Sequence, residues 1–226
     1  MNIAKRRKFT ICGISDAIIQ IKEVEQSIFE DSKGNMWFGS FDEGVVKYDG
    51  QKYTIFNTKQ GLPDSWVFDI KEDNEGHIWF ATGKGACKYD GHALIVYTHT
   101  EGMVSGGLQS ITIEPSGTIW FASNNGGICK FKNQKFTHYN FGERFASLKV
   151  NKIAYDTINN KLWVIYTKYN FATISEDTVT FYNCPKPYLS RFKDIAIDKT
   201  GKAYISTLSD GFFEFSNNTF TYYGPE

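Results

Sequence analysis

The chain has no long apolar run, little proline, few cysteines and no surplus of charge of either sign. No stretch approaches the roughly eighteen consecutive apolar residues of a membrane-spanning helix, so no membrane partner is expected. Twenty-five Lys and Arg balance twenty-five Asp and Glu, which removes the electrostatic argument for nucleic acid or an anionic surface. The one local basic run, Lys5-Arg6-Arg7-Lys8, is terminal and has no interleaved stacking aromatics, so it reads as a solvated tail. It precedes Phe9 to Ile14, but Ser15-Asp16 interrupts the apolar stretch and no small-residue cleavage site follows, which speaks against a signal peptide. A soluble, cytoplasmic chain is the expectation. The four cysteines, Cys12, Cys87, Cys129 and Cys184, include no C-x-x-C pair and are spaced too widely for a metal cluster. No metal or other cofactor is expected.

What the sequence has in abundance is repetition. Gly34-Asn35-Met36-Trp37, Gly76-His77-Ile78-Trp79, Gly117-Thr118-Ile119-Trp120, Asn160-Lys161-Leu162-Trp163 and Gly201-Lys202-Ala203-Tyr204 place an aromatic at 37, 79, 120, 163 and 204, in steps of 42, 41, 43 and 41. A period of roughly 40 to 50 residues marks propeller blades. Ile28, Ile70, Ile111 and Ile195 stand nine residues before the aromatic, and Ile153 ten before it. An acidic residue follows each: Asp31, Asp73, Glu114, Asp156 and Asp198.

Each copy reads as four short strands, of the type Val67–Ile70, Ile78–Ala81, Ala86–Tyr89 and Leu94–Tyr97, with period-two alternation and turn residues between them. Helical spacing is not sustained anywhere. The acidic residue suits a turn in which its carboxylate accepts backbone N–H groups, and Tyr48-Asp49-Gly50 and Tyr89-Asp90-Gly91 suit tight hairpins. The Trp or Tyr supplies bulk between neighbouring blades. Hydrophobic residues at 41% and aromatics at 16% suffice for such a shared core. Cys87 and Cys129, in equivalent third strands, read as small buried hydrophobes.

The segments Ile70 to Thr82 and Gly44 to Gly50, with Gly61-Leu62-Pro63-Asp64, closely resemble the two-component regulator propeller repeat, which is distantly similar to the repeats of virginiamycin B lyase. The fourth copy departs most, lacking the glycine and the Tyr-Asp-Gly turn over Lys168 to Asp177. The resemblance implies a sensor-like β-propeller that binds something. It implies no kinase activity.

The fold class expected is therefore all-β: a β-propeller of five four-stranded blades at about 24–65, 66–107, 108–147, 148–189 and 190–226, with residues 1–23 as an N-terminal arm or extra strand. Residues 8–14 fall in fourth-strand register, since Ile11 precedes Ile28 by 17 just as Tyr53 precedes Ile70. A closed five-bladed ring is expected, existing as a monomer or small homo-oligomer, with an open, oligomerising arc as the alternative.

Function should reside where the copies differ. The position four before the repeated isoleucine is Val24, Trp66, Gly107, Lys149 and Arg191, and the loops between second and third strands add Phe41, Asp42 and Glu43; Lys84; Asn124 and Asn125; Lys168 and Tyr169; and Ser209 and Asp210. These gather at one mouth of the channel. Trp66 would stack on a ligand, Lys149 and Arg191 would bind anionic or hydroxyl groups, and Asn124 or Asn125 would hydrogen-bond. The leading reading is a non-catalytic module for a small polar ligand, such as a saccharide, or for a protein partner. The alternatives are a lyase-like enzyme on the same face, with His99 and Glu101 as acid–base candidates, and an interaction scaffold.

Overall fold

The computed structural model describes residues 27–125, 127–139, 149–166, 170–176, 178–183 and 191–224. The N-terminal arm assigned to residues 1–23, together with Val24, Lys168 and Tyr169, lies outside them.

Twenty strands form five four-stranded antiparallel sheets, each in simple chain order. The first blade comprises β1 (Ser27–Glu30), β2 (Met36–Gly39), β3 (Val45–Tyr48) and β4 (Tyr53–Phe56). The second comprises β5 (Val67–Glu72), β6 (Ile78–Thr82), β7 (Gly85–Tyr89) and β8 (Leu94–Tyr97). The third comprises β9 (Leu108–Ile113), β10 (Ile119–Ser123), β11 (Gly127–Lys132) and β12 (Lys135–Tyr139). The fourth comprises β13 (Val150–Asp156), β14 (Lys161–Tyr166), β15 (Asn170–Ser175) and β16 (Thr178–Asn183). The fifth comprises β17 (Phe192–Ile197), β18 (Ala203–Thr207), β19 (Phe212–Ser216) and β20 (Thr219–Tyr223). First strands of consecutive blades run side by side at the centre, β1 beside β5, β5 beside β9, β9 beside β13 and β13 beside β17.

The repeated tetrad works as its turn chemistry requires. Asp31 Oδ1 accepts the Lys33 and Asn35 N–H groups at 3.0 and 2.8 Å, while Oδ2 takes the Trp37 indole N–H at 2.8 Å. Asp73 does the same for Glu75, His77 and Trp79, at 3.0, 2.9 and 2.7 Å. Glu114 holds Trp120 at 2.6 Å. The contact is longer where the copies diverge, 3.5 Å from Trp163 to Asp156 and 3.4 Å from the Tyr204 hydroxyl to Asp198. One carboxylate thus closes the first hairpin and satisfies an indole that is otherwise buried. The glycine at the start of the third strand is equally constrained: at Gly44 and Gly211, both at positive φ, a Cβ would collide with the fourth-strand carbonyl of Phe56 or Tyr223.

Where two consecutive blades meet, the Trp face of one packs against the Ile face of the next. Trp79 and Ala81 of the second blade share a core with Ile111, Phe121 and Cys129 of the third, and Trp37 packs with Ile70, Phe80 and Cys87. Equivalent cores join the third blade to the fourth and the fourth to the fifth. Cys87 and Cys129 are free thiols sealed in these layers, and burial pushes both up to about 12, so neither is a nucleophile near neutral pH.

Four cores therefore serve five blades. Among the described residues, no apolar core or hydrogen bond joins the fifth blade to the first. Ile28 is 59% exposed, whereas Ile70 and Ile111 are completely buried and Ile153 nearly so.

Candidate ligand-binding face

The first strands of blades two to five each carry a β-bulge. In β5 the register against β6 shifts between Val67 and Asp69, so Phe68 is the extra residue; Gln109, Asn151 and Lys193 are its counterparts. A bulge breaks the alternation of faces and re-aims a side chain. At the second blade the consequence is an aromatic cluster: Phe41 lies edge-on to Trp66, with centroids 5.7 Å apart, and to Phe68 at 5.8 Å, while Trp66 meets Phe68 at 6.3 Å. Trp66 remains 50% exposed.

First-strand entrances and second-to-third loops do meet at one end of each sheet. The Trp66 carbonyl accepts the Gly83 N–H at 3.1 Å, the Gly107 carbonyl accepts Asn124 at 3.0 Å, and the Arg191 carbonyl accepts Leu208 at 3.0 Å. Neighbouring blades are tied at the same level, where the Ser40 carbonyl accepts the Val67 N–H at 2.8 Å and the Ser65 carbonyl accepts Gly44 at 3.1 Å. In three blades the hydroxyl three residues after the aromatic brackets the loop, Ser40 donating to the Gly44 carbonyl at 3.3 Å, Thr82 to that of Gly85 at 2.8 Å and Thr207 to that of Gly211 at 2.9 Å, whereas Ser123 donates to the Ser105 carbonyl at 2.6 Å. Spacing alone could have flagged this position, since Ser40, Thr82, Ser123 and Thr207 all occupy it.

On this frame Asp42, Lys84, Asn125, Lys149 and Arg191 are exposed. Asp210 is half-buried, donates its N–H to Thr207 Oγ1 at 2.9 Å and receives the Tyr222 hydroxyl on its carbonyl at 2.6 Å. Asn124 keeps a buried Oδ1 that has no hydrogen-bond partner. Phe41, Trp66 and Phe68 are brought into contact; Tyr169 lies outside the described residues. Phe68 escaped the sequence reading because a bulged residue obeys no alternation.

Just below the mouth, a buried network crosses three blades. Asp69 Oδ2 accepts the Ser110 hydroxyl and the Ile111 N–H, both at 3.0 Å, and pairs with Lys152 Nζ at 3.1 Å. Asp69 Oδ1 accepts its own neighbour Ile70 N–H at 3.1 Å. These side chains occupy one repeat position, the residue before the isoleucine, on β5, β9 and β13.

The acid–base candidates have a different fate. Thr98 and Glu101 form a capping box around the 3-10 turn His99–Glu101, in which the Glu101 carboxylate accepts the Thr100 hydroxyl at 2.7 Å, the Thr98 N–H at 2.7 Å and the Thr98 hydroxyl at 2.9 Å. Those donors pull its pKa down to about 2, with the Thr100 hydroxyl contributing most. A carboxylate so stabilised is a poor proton acceptor. His138 Nε2 bonds the Gly102 carbonyl at 2.7 Å on the outer strand, and His77 contacts Asp73 at 3.1 Å in the turn at the opposite end of its blade. Among the described residues no group of three His, Cys, Asp or Glu side chains is placed to hold a metal ion.

Comparison with known proteins agrees with this architecture. The two-component regulator propeller profile matches residues 21–42 and 61–84. No curated protein matches the chain. Among solved structures, virginiamycin B lyase from Staphylococcus aureus superposes with a TM-score of 0.75 at 18% identity, over 88% of this chain and 69% of the lyase. The extracellular domain of BT3049 from B. thetaiotaomicron, described as a hybrid two component system, gives a TM-score of 0.76 at 18% identity, over 98% of this chain. PorZ of Porphyromonas gingivalis, a surface component of the type-IX secretion system, gives 0.62 at 17% identity over 84% of this chain. This chain spans only 31% of either of the last two. At these identities the likenesses establish the β-propeller fold, and the profile marks two-component regulator propeller repeats at residues 21–42 and 61–84.

Proposed function

We propose that the chain is a non-catalytic, sensor-like binding propeller that takes a small polar ligand, of the saccharide class, at the channel mouth. One observation carries this reading. Of five tryptophans, Trp37, Trp79, Trp120 and Trp163 are buried in the blade frame, while Trp66 stands half exposed among Phe41 and Phe68 at the entrance. An exposed, rigidly backed indole is a stacking platform for the apolar face of a sugar ring. The exposed cations Lys84, Lys149 and Arg191 and the exposed amide of Asn125 add polar groups at the same end of the blades. The likeness to the BT3049 extracellular domain agrees with a sensor-like role.

A panel of mono- and oligosaccharides titrated against Trp66 fluorescence and by calorimetry tests the proposal. Replacing Trp66 and Arg191 together by Ala should weaken the best binder by at least about tenfold, or 1.4 kcal/mol. Unchanged affinity in the double variant would remove the site assignment. A second reading, a lyase-like enzyme on the same face, draws on the fold shared with virginiamycin B lyase. It requires turnover that falls on replacing His99 by Ala, and binding without turnover excludes it.

A further inference from the structure

Three departures from the repeat fall in one copy. Six residues before the repeated isoleucine the other copies carry Lys22, Ser105, Ser147 and Leu189, whereas the copy with the exposed tryptophan carries Asp64. Four residues after the tetrad aromatic the others carry Phe41, Asn124, Thr167 and Leu208, and this copy carries Gly83. The carboxylate, the glycine and Trp66 are therefore peculiar to the second blade.

The fold brings these three together. The segment leading into β5 is anchored by buried Leu62, by the Ser65 carbonyl accepting the Gly44 N–H and by the Trp66 carbonyl accepting the Gly83 N–H, both at 3.1 Å. On this segment Asp64 is half-buried, and its Oδ1 accepts the Ser65 N–H at 2.8 Å. Among the described residues its Oδ2 has no hydrogen-bond or ion-pair partner, Lys84 included. A Cβ on Gly83 would stand 2.3 Å from that Oδ2 and 3.7 Å from the Trp66 Cβ. The carboxylate thus occupies the space a side chain at Gly83 would fill, beside the root of the indole. Gly107 of the next blade lies against Gly83, where its own Cβ would meet the Gly83 carbonyl oxygen at 3.1 Å. Neither position sends a side chain over the carboxylate and the indole.

We propose that Asp64 is the specificity-determining residue of the Trp66 platform. Its free Oδ2 accepts hydrogens from the hydroxyl or amine groups of the sugar ring stacked on the indole, and it disfavours a ring that carries an acidic group there. An ionised carboxylate can only accept, so a ligand must meet it with donors, and such bonds are strengthened by the charge. A second carboxylate would face it with like charge and no shared proton, which rejects the acidic sugar by repulsion. This inference rests on the saccharide reading of the site.

Glucose, galactose and mannose, each with its 2-amino and its uronate form, are titrated by calorimetry against the wild type, Trp66→Ala, Asp64→Asn and Gly83→Ala. The wild type should bind the neutral or amino form of at least one hexose at least about tenfold more tightly than its uronate. Asp64→Asn keeps an acceptor for the Ser65 N–H and should bring the uronate to within about threefold of the neutral form. Gly83 is not at positive φ, so Gly83→Ala adds a methyl without backbone strain, displaces the carboxylate and should weaken the neutral form while far-UV circular dichroism is unchanged. A preference for the amino form that disappears in Asp64→Asn identifies an ammonium as the donor, and equal affinity for amino and neutral forms identifies hydroxyls. Trp66-dependent binding whose strength and order survive Asp64→Asn would overturn the role of Asp64 and leave the saccharide reading standing, as would a wild type that prefers the uronate. A wild type that binds none of these sugars, or binds them equally without Trp66, would overturn both.

Discussion

Ile70 and Ile28 hold the same place in consecutive repeats, but the first is sealed by Trp37 and Phe56 of the preceding blade and the second faces outward. The strands around them are alike, the acidic turns alike, the hydrogen bonds to the indole alike. The difference lies in what stands behind the sheet. In a propeller the blade is a local structure, and burial belongs to the junction between two of them.

The sharpest way to break this comparison is to remove the same large ring at a sealed and an open face. Trp79→Ala empties the core between blades two and three and should cost about 3–5 kcal/mol, read from the urea midpoint, whereas Tyr204→Ala at the open end should cost far less. Next comes the isoleucine itself: Ile70→Ala should lose about 2–5 kcal/mol and Ile28→Ala no more than about 0.5 kcal/mol in the isolated chain. Equal losses at the two positions would mean that Ile28 is covered in solution.

Asp69→Asn leaves Lys152 facing an uncharged amide in a buried network and should cost about 1–3 kcal/mol, while Asp194→Asn, its exposed counterpart, should be close to neutral for folding at low protein concentration. The turn carboxylates give a pH signature common to sealed and open blades. Burial disfavours the charge on Asp31 and Asp73, but the indole N–H groups of Trp37 and Trp79 and the backbone donors outweigh it and hold both pKa values below the ordinary range. Their contribution is therefore complete above the unfolded value of about 3.9 and is lost as pH falls through the lower folded value. The urea midpoint should be flat from neutrality to mild acid and fall below about pH 4, less steeply in Asp31→Asn. The smallest effect expected is from Trp66→Ala, which should leave stability within about 0.5 kcal/mol while abolishing the fluorescence response to ligand.

Much of the blade was legible in the sequence because its determinants are close along the chain. Asp31 and Trp37 are six residues apart, and the turn that joins them restricts where the indole can point. The four-before-isoleucine count placed Trp66 and Arg191 at the blade entrances by the same logic. It missed Phe68, because the bulge at Val67–Asp69 inserts a residue that alternation does not predict. It also took Glu101 for an acid–base candidate, when three donors from Thr98 and Thr100 make that carboxylate a cap.

The sequence by itself determined the blades: their number, their strand order, and the carboxylate–indole frame, all of which rest on contacts within about forty residues and on the backbone preferences of Gly, Asn and Asp. Only the tertiary structure decided which apolar faces are sealed, that Asp69 on one blade meets Ser110 and Lys152 on the next two, and that Trp66 gathers Phe41 and Phe68 into an open aromatic patch. Those outcomes depend on which blade stands beside which, and a repeat that specifies its own fold is silent about its neighbour.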